Sequence, residues 1–366
     1  MSHVADFGAY PDGSDAYPGI AAAIAAGNVI ELDAGTYTLA SGANSLYALS
    51  LPARNGIKLK GQGKGLTKLK QTASRGVLAS AAGCNGLVIE GITFDGNRQS
   101  STSQGKHGLR IGSGQGITLR DVGVVNAWGY GIGFQDGNYQ DLLVEDFRIE
   151  ESCLDGLDIK NNGNLNARIR ILNGAVINAG ADTAASSPAA IDVRGPGTIV
   201  SGIHTTVTVS GRNTVGIRLR QDDATQGEGG KYSLVSNCHH HGQTGNFGFY
   251  NAAPNASYAH CSAFMAGGAG HGFFFAGTGI DVLVTGCQSI DGGRGFWTQG
   301  QRVHFVNCIS ADHANEGFRL DACADNTFAA CYSRANGYGF RSVNSPSGNV
   351  FTPDTTAIGN ITNWAV

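Results

Sequence analysis

Gly272-Phe273, Gly295-Phe296, Gly317-Phe318 and Gly339-Phe340 recur through residues 272–340, with Cys287, Cys308 and Cys331 set between them in a similar register. A Gly followed by an apolar residue, repeated at nearly constant spacing, marks a chain built from copies of one short unit. Working backward, the same pair appears at Gly248-Phe249, Gly216-Ile217, Gly156-Leu157, Gly131-Ile132 and Gly108-Leu109, and most intervals are 22 to 25 residues. Two are longer, Leu157 to Ile191 and Ile217 to Phe249, and their polar or Gly-rich stretches read as loops inserted into a repeat. A second apolar run follows within each repeat, as in Ile117-Thr-Leu119, Leu142-Leu-Val144, Val282-Leu-Val284 and Val303-His-Phe305, and it alternates with the strand period of two.

Short strands at this spacing, with no helical repeat pattern, predict an all-β chain: a right-handed parallel β-helix in which like residues stack from coil to coil. Stacking at about 4.8 Å places Cys238, Cys261, Cys287, Cys308 and Cys331 in an inward ladder of free thiols, since Cys packs as a small hydrophobe and no CxxC pair is present. Residues 18–26, Ala-rich with a Pro at the start, predict the one helix, a cap over the open end of the solenoid. The expected organisation is one domain over 1–366, with a cap at 1–40, coils at 41–351 and a tail at 352–366.

Composition agrees and excludes several functions. Gly, at 56 residues, is about twice its usual share while Pro is only 8, which suits tight turns between strands. Charged residues make up 14% and the net charge is −3, so a nucleic-acid partner is not expected. No apolar run reaches the length of a membrane span, and the N-terminus reads as folded sequence without a signal peptide. An extracellular or virion-associated location is the expectation for such a fold, with monomer and trimer both open.

Asp6-Phe-Gly-Ala-Tyr-Pro-Asp-Gly-Ser-Asp15, the Ala-rich helix and Val29-Ile-Glu-Leu-Asp-Ala-Gly-Thr-Tyr37 resemble the opening of the pectate-lyase-like β-helix superfamily, which includes lyases, hydrolases, epimerases and phage tailspikes. Further along, Ile92-Thr-Phe-Asp-Gly-Asn-Arg98, Gly105-Lys-His-Gly108, Ile117-Thr-Leu-Arg120, Gly129-Tyr-Gly131 and Leu154-Asp-Gly-Leu157 are similar to the catalytic module of bacterial mannuronan C5-epimerases. The resemblance implies a β-helix and uronate chemistry, with Tyr130 at the position of a family active-site Tyr. Gly133 and Gln135 stand where that family has Asp and His, and Lys160 and His107 where it has further Asp residues.

The repeat register also says which side chains face outward. If the apolar residue after each Gly points in, the next position points out: Arg110, Gly133, Asp158, Asp192, Arg218, Tyr250, Phe274, Trp297, Arg319 and Arg341. Two residues on come Gln135, Lys160, Arg194, Arg220 and Gln299, and at the strand mouth His107, Tyr130, Asp155, His271, Arg294 and Glu316. Such a strip offers cations for carboxylates and flat faces for sugar rings, as a polymer of acidic sugars requires.

Two chemistries fit. In β-elimination or C5 epimerisation, Tyr130 or His107 moves protons while Lys160, Arg194, Arg218 or Arg220 neutralises the charge that builds on the uronate carboxylate. In hydrolysis, two carboxyls flank the scissile bond, about 5 Å apart for retention or about 6.5–9.5 Å for inversion, and one acid is raised by the other. Asp158 stacked on Asp192 would supply the short spacing, and Asp155 with Asp158 the long one. The expected catalytic set is therefore Tyr130, Asp155, Asp158, Lys160 and Asp192, with His107, Arg110, Gln135, Arg194, Arg218, Arg220, Tyr250 and Trp297 binding substrate. A glycan-binding tailspike or adhesin without catalysis is the alternative from another class. His239-His-His241 reads as a polar turn and not a metal site, and no cofactor is required, although Asp222, Asp223 and Glu228 in the loop 221–230 could hold Ca²⁺.

Overall fold

A computed structural model describes residues 1–103, 105–161, 167–185, 187–209, 211–212, 214–221, 229–243, 247–266 and 269–365. The chain forms two compact units, Met1–Pro188 and Ala189–Val366, and each is a parallel β-solenoid.

In the first unit, one sheet stacks Tyr47–Leu51, Gly76–Ser80, Leu109–Ile111, Ile132–Gly137 and Leu157–Asn161, all parallel. The remaining wall is made by pairs of short strands joined by one sharp corner. Thr118–Val125 runs through this corner unbroken, and the next coil divides into Leu143–Glu145 and Arg148–Glu150, each pairing with one half of it. The corner residues Asp121, Asp146 and Asn173 have φ of 52°, 53° and 52°, left-handed values that Asn and Asp tolerate better than most side chains.

The helix is Tyr17–Ala26, with Pro18 in its first turn, where a missing N–H costs nothing; it buries Ile20, Ala23 and Ile24. The cap expected over 1–40 is itself partly coil, because Ser2–His3, Val29–Glu31 and Gly35–Leu39 already pair with the strands that follow.

In the second unit, the equivalent sheet stacks Ala189–Arg194, Val215–Leu219, Phe247–Asn251, His271–Phe275, Arg294–Thr298, Glu316–Asp321, Tyr338–Val343 and Thr362–Ala365. Its last strand, and Thr356–Ile358 beside Tyr332–Arg334, turn the expected tail of 352–366 into coil. Inside, Phe273, Phe296, Phe318 and Phe340 stack with centroids 4.7–4.9 Å apart and planes within 11° of parallel, the strand spacing expressed in rings.

The Gly before each of these is sterically required. A Cβ at Gly272 would stand 1.9 Å from Ser289 Oγ and 2.8 Å from the Gly295 carbonyl, and one at Gly295 would stand 2.1 Å from Ser310 Oγ. The cysteines are all free and buried, and Cys308 Sγ donates to the Val284 carbonyl of the preceding coil at 3.4 Å. Those of the ladder follow a corner residue: Asn237, His260, Gly286, Asn307 and Ala330 precede Cys238, Cys261, Cys287, Cys308 and Cys331 with φ of 50–61°.

His239-His-His241 is strand and not turn: His239–Gly242 pairs in register with its neighbours, so His240 points in and is buried while His239 and His241 face out. No helix among the described residues is long and apolar enough to cross a membrane.

Candidate functional sites

The first unit carries the first candidate. Arg110, Gly133 and Asp158 are aligned by strand pairing in one row, with Leu109, Ile132 and Leu157 buried beside them. The missing side chain at Gly133 opens a notch that its neighbours border closely: a Cβ there would lie 3.1 Å from His107 Cδ2 and 3.3 Å from Gln135 Nε2. Gln135 Nε2 donates to Asp158 Oδ2 at 2.9 Å, and Lys160 Nζ lies 3.9 Å from the same oxygen. Asp158 is fully buried, and its carboxyl group anchors the Gln135 amide from below.

The pairing slips between Phe134 and Gly137, a bulge that gives Gln135 and Asp136 one partner position between them. It turns Asp136 toward Arg110, which reaches it at 2.7 Å.

His107 and Tyr130 stand at the mouth of these strands, their rings 4.8 Å apart and tilted by 34°. The Tyr130 backbone N–H donates to His107 Nδ1 at 3.3 Å, which leaves the proton of a neutral imidazole on Nε2. Burial, then the charges of Arg110 and Lys160, push the imidazole down to about 4, so at neutral pH it is an uncharged hydrogen-bond donor and not a base. Gly129 makes this approach possible, since a Cβ there would stand 3.0 Å from His107 Nδ1.

Asp155 is also buried, and a carboxylate oxygen of it lies within 4.8 Å of one of Asp158. This is shorter than the inverting separation expected of the pair.

Asp192 belongs to the second unit and has a different environment from the one expected of a hydrolytic acid. Arg218 holds it through Nε at 2.9 Å and a terminal nitrogen at 3.0 Å, Arg194 at 3.0 Å, and Arg220 at 3.0 and 3.1 Å. Burial works to raise its pKa, but the three guanidinium groups outweigh that and hold it at about 2. A carboxylate fixed in this way is not a proton donor; it orients cations. From it the row continues in register through Arg218, Tyr250, Phe274, Trp297, Arg319 and Arg341.

Sequence reasoning missed a second hub in this row. Glu316, 1% exposed, is bound by Arg294 at 2.7 Å, Arg341 at 3.0 Å and Arg319 at 3.2 Å. The signal was present in three arginines flanking one acid at matched positions. Asp222, Asp223 and Glu228, expected to offer a Ca²⁺ loop, lie outside the described residues.

No family model matches this chain, and no curated protein does. Solved structures do. The mannuronan C-5 epimerase A-module of Azotobacter vinelandii matches over 96% of this chain and 100% of its own, at 17% identity and a TM-score of 0.59. The catalytic unit of a GH87 α-1,3-glucanase from Streptomyces thermodiastaticus matches over 97% and 70%, at 13% identity and a TM-score of 0.60. PfbA, a surface adhesin of Streptococcus pneumoniae, matches over 94% and 93%, at 11% identity and 0.54. At these identities the likeness is one of fold.

Proposed function

We propose that the protein acts on an acidic polysaccharide and that the face of the first unit around Tyr130, His107, Gln135 and Lys160 carries out β-elimination or C5 epimerisation of uronate residues. The observation that carries this reading is the Lys160 ammonium 3.9 Å from fully buried Asp158, beside a glycine notch bordered by Gln135 and a neutral His whose ring lies 4.8 Å from that of Tyr130.

Removing the proton next to a uronate carboxylate leaves negative charge on that carboxylate, and a preplaced cation and hydrogen-bond donors lower the barrier to it. Lys160 supplies the cation, and His107 Nε2–H and the Gln135 amide supply donors. The Tyr130 oxygen, as phenolate, takes the C5 proton. In elimination, the C–H and glycosidic C–O bonds break, a C=C bond forms and the departing oxygen takes up a proton. In epimerisation the glycosidic bond stays intact, water delivers a proton to C5 from the opposite face, and Tyr130 gives up to solvent the proton it took. Arg110, paired with Asp136 at the rim, binds a neighbouring carboxylate.

Two fold neighbours are an epimerase of mannuronan and a glucanase, which supports action on polysaccharide more generally. The closeness of Asp155 and Asp158 favours glycoside hydrolysis as a second reading. Binding without turnover, as in an adhesin, is the third. The polymer would be met outside the cell or from a virion.

Alginate, pectin and a panel of bacterial exopolysaccharides should be screened for ultraviolet absorbance, reducing ends and inverted uronate. Elimination gives the absorbance, hydrolysis reducing ends without it, and epimerisation neither. On the substrate so found, Tyr130→Phe should lower kcat by about 10²–10⁴-fold and Lys160→Ala by about 10²–10³-fold. Full turnover in both variants means that the site is elsewhere.

A further inference from the structure

The second unit carries a row unlike that of the first, in which arginines and aromatic rings replace glycine and titratable groups. At one end is Asp192 with Arg194, Arg218 and Arg220; at the other is Glu316 with Arg294, Arg319 and Arg341. Between them, Tyr250, Phe274 and Trp297 occupy successive strands in register, with ring centroids 5.3 and 4.7 Å apart.

The two ends share one construction. A buried acid holds three guanidinium groups, two of them mostly covered and one at the surface: Arg220, with 39% of its side chain exposed, at the first end and Arg341, with 37%, at the second. The exposed guanidinium at each end, Arg220 or Arg341, has five N–H donors, more than its contact with the buried acid uses, and at the second end three arginines face two acids, Glu316 and Asp321.

The aromatic segment is fixed as firmly. Trp297 Nε1 donates to Asp321 at 3.2 Å, and the guanidinium carbons of Arg294 and Arg319 lie 4.9 and 5.2 Å from its ring centre. Phe247 stacks behind Phe274 at 4.9 Å. Tyr250 and Trp297 remain partly exposed. From Arg218 to Arg341 the row climbs five strands, about 24 Å at the spacing of a parallel sheet. That is a surface for an extended chain and not for a small molecule.

We propose that this row is a binding strip for an acidic polysaccharide, in which Arg220 and Arg341 take carboxylates of the polymer and Tyr250 and Trp297, braced by buried Phe274 between them, take sugar faces. A neutral glycan would have no use for the two guanidinium clusters, and a compact anion none for the rings between them. Only the class of ligand rests on the reading given above; the strip is defined by residues of the second unit alone. Asp192 and Glu316 are positioning residues here. They set the direction of the exposed guanidinium and do not touch the polymer.

Titration calorimetry with polygalacturonate, alginate and a carboxyl-reduced form of each is the test. The acidic polymers should bind, more weakly as salt is raised, and the reduced forms should not. Arg220→Ala and Arg341→Ala, both at the surface, should each weaken binding about tenfold, and Trp297→Ala by at least as much. The Arg variants should raise KM for long polymers more than for short oligomers. Equal binding by wild type, Arg220→Ala and Arg341→Ala overturns the strip, as does equal binding of acidic and reduced polymers or no binding by the wild type. Tyr130→Phe separates the two ideas: it should abolish turnover while polymer binding stays, and a failure of turnover alone leaves the strip standing.

Discussion

The outward row of the first unit reads Arg110, Gly133, Asp158, and that of the second reads Asp192, Arg218, Tyr250, Phe274, Trp297, Arg319, Arg341, although both sit on the same kind of strand. In the first, a glycine leaves space, one lysine stands over a buried acid and a histidine is kept neutral. In the second, each buried acid is matched by three arginines and the middle is filled with rings. Open space beside a few unsaturated groups suits a reaction; fixed charge and filled surface suit holding a chain. The solenoid separates these uses because an outward side chain can change without disturbing the inward one next to it.

The largest difference should appear in acid. In the second unit burial first of all pushes His240 down to about 3, and His271 and His313 to about 4. Among the described residues of the first unit only His107 is shifted this way. A histidine lowered in the fold is neutral there, so no stability is lost above its unfolded pKa of about 6.5. As pH falls below that value the unfolded chain takes the proton first, and stability declines until the folded pKa is reached. With about 1.4 kcal/mol per pH unit for each of these three groups, and a smaller push in the same direction on His239, the second unit should weaken at least three times as steeply as the first between pH 6.5 and 4. Hydrogen exchange resolved by peptide, at pH 7 and pH 5, reads the two slopes separately. Equal slopes would mean that these imidazoles are wet.

The acids should differ next. Asp192→Ala leaves three guanidinium groups crowded around nothing, two of them buried, and should cost about 3–5 kcal/mol in urea denaturation. Asp158→Asn, which keeps an acceptor for Gln135 and gives up the 3.9 Å contact to Lys160, should cost about 1–3 kcal/mol. The reverse order would place the tighter hub in the first unit.

The glycines should divide function from folding. Gly133→Ala meets only side-chain atoms at 3.1–3.4 Å and should fold, while filling the notch and lowering turnover. Gly295→Ala meets Ser310 Oγ at 2.1 Å and the Gly317 carbonyl at 2.5 Å, and should cost about 1–3 kcal/mol. Its effect on turnover should follow from stability alone.

The row itself could be read in the sequence, because Gly131-Ile132 or Gly272-Phe273 declares both the strand and its inward side. Register then fixed which side chains are neighbours, down to Phe274 beside Trp297. What those neighbours do to one another was not legible. Asp192 reads as a catalytic acid until Arg194, Arg218 and Arg220 are seen to converge on it, since letters two residues apart do not show where long guanidinium arms turn. His239-His-His241 reads as a turn because three polar residues in a row suggest no core, yet His240 fits inside once Thr205 is opposite its Nδ1 at 2.8 Å. The corner residues were legible but unread: Asn and Asp at left-handed φ recur with the same period as the glycines.

Those corners give the smallest effect, and here the two units should agree. Arg168 pairs with Asp141 in the first unit and Arg302 with Asp281 in the second, all four exposed enough for solvent to screen the pair. All four also have φ of 52–57°, a left-handed conformation that glycine adopts at less cost than arginine or alanine. Two substitutions at each site separate the influences. Arg302→Ala removes the ion pair and keeps the strained backbone, so its denaturation midpoint should fall slightly or stay. Arg302→Gly removes the pair and relieves the backbone, so its midpoint should lie above that of Arg302→Ala. Arg168→Ala and Arg168→Gly should repeat the order. If alanine proves the better substitute at both sites, the corner is held by its side chains, and the Asn and Asp rhythm reflects their hydrogen bonds and not their tolerance of left-handed φ.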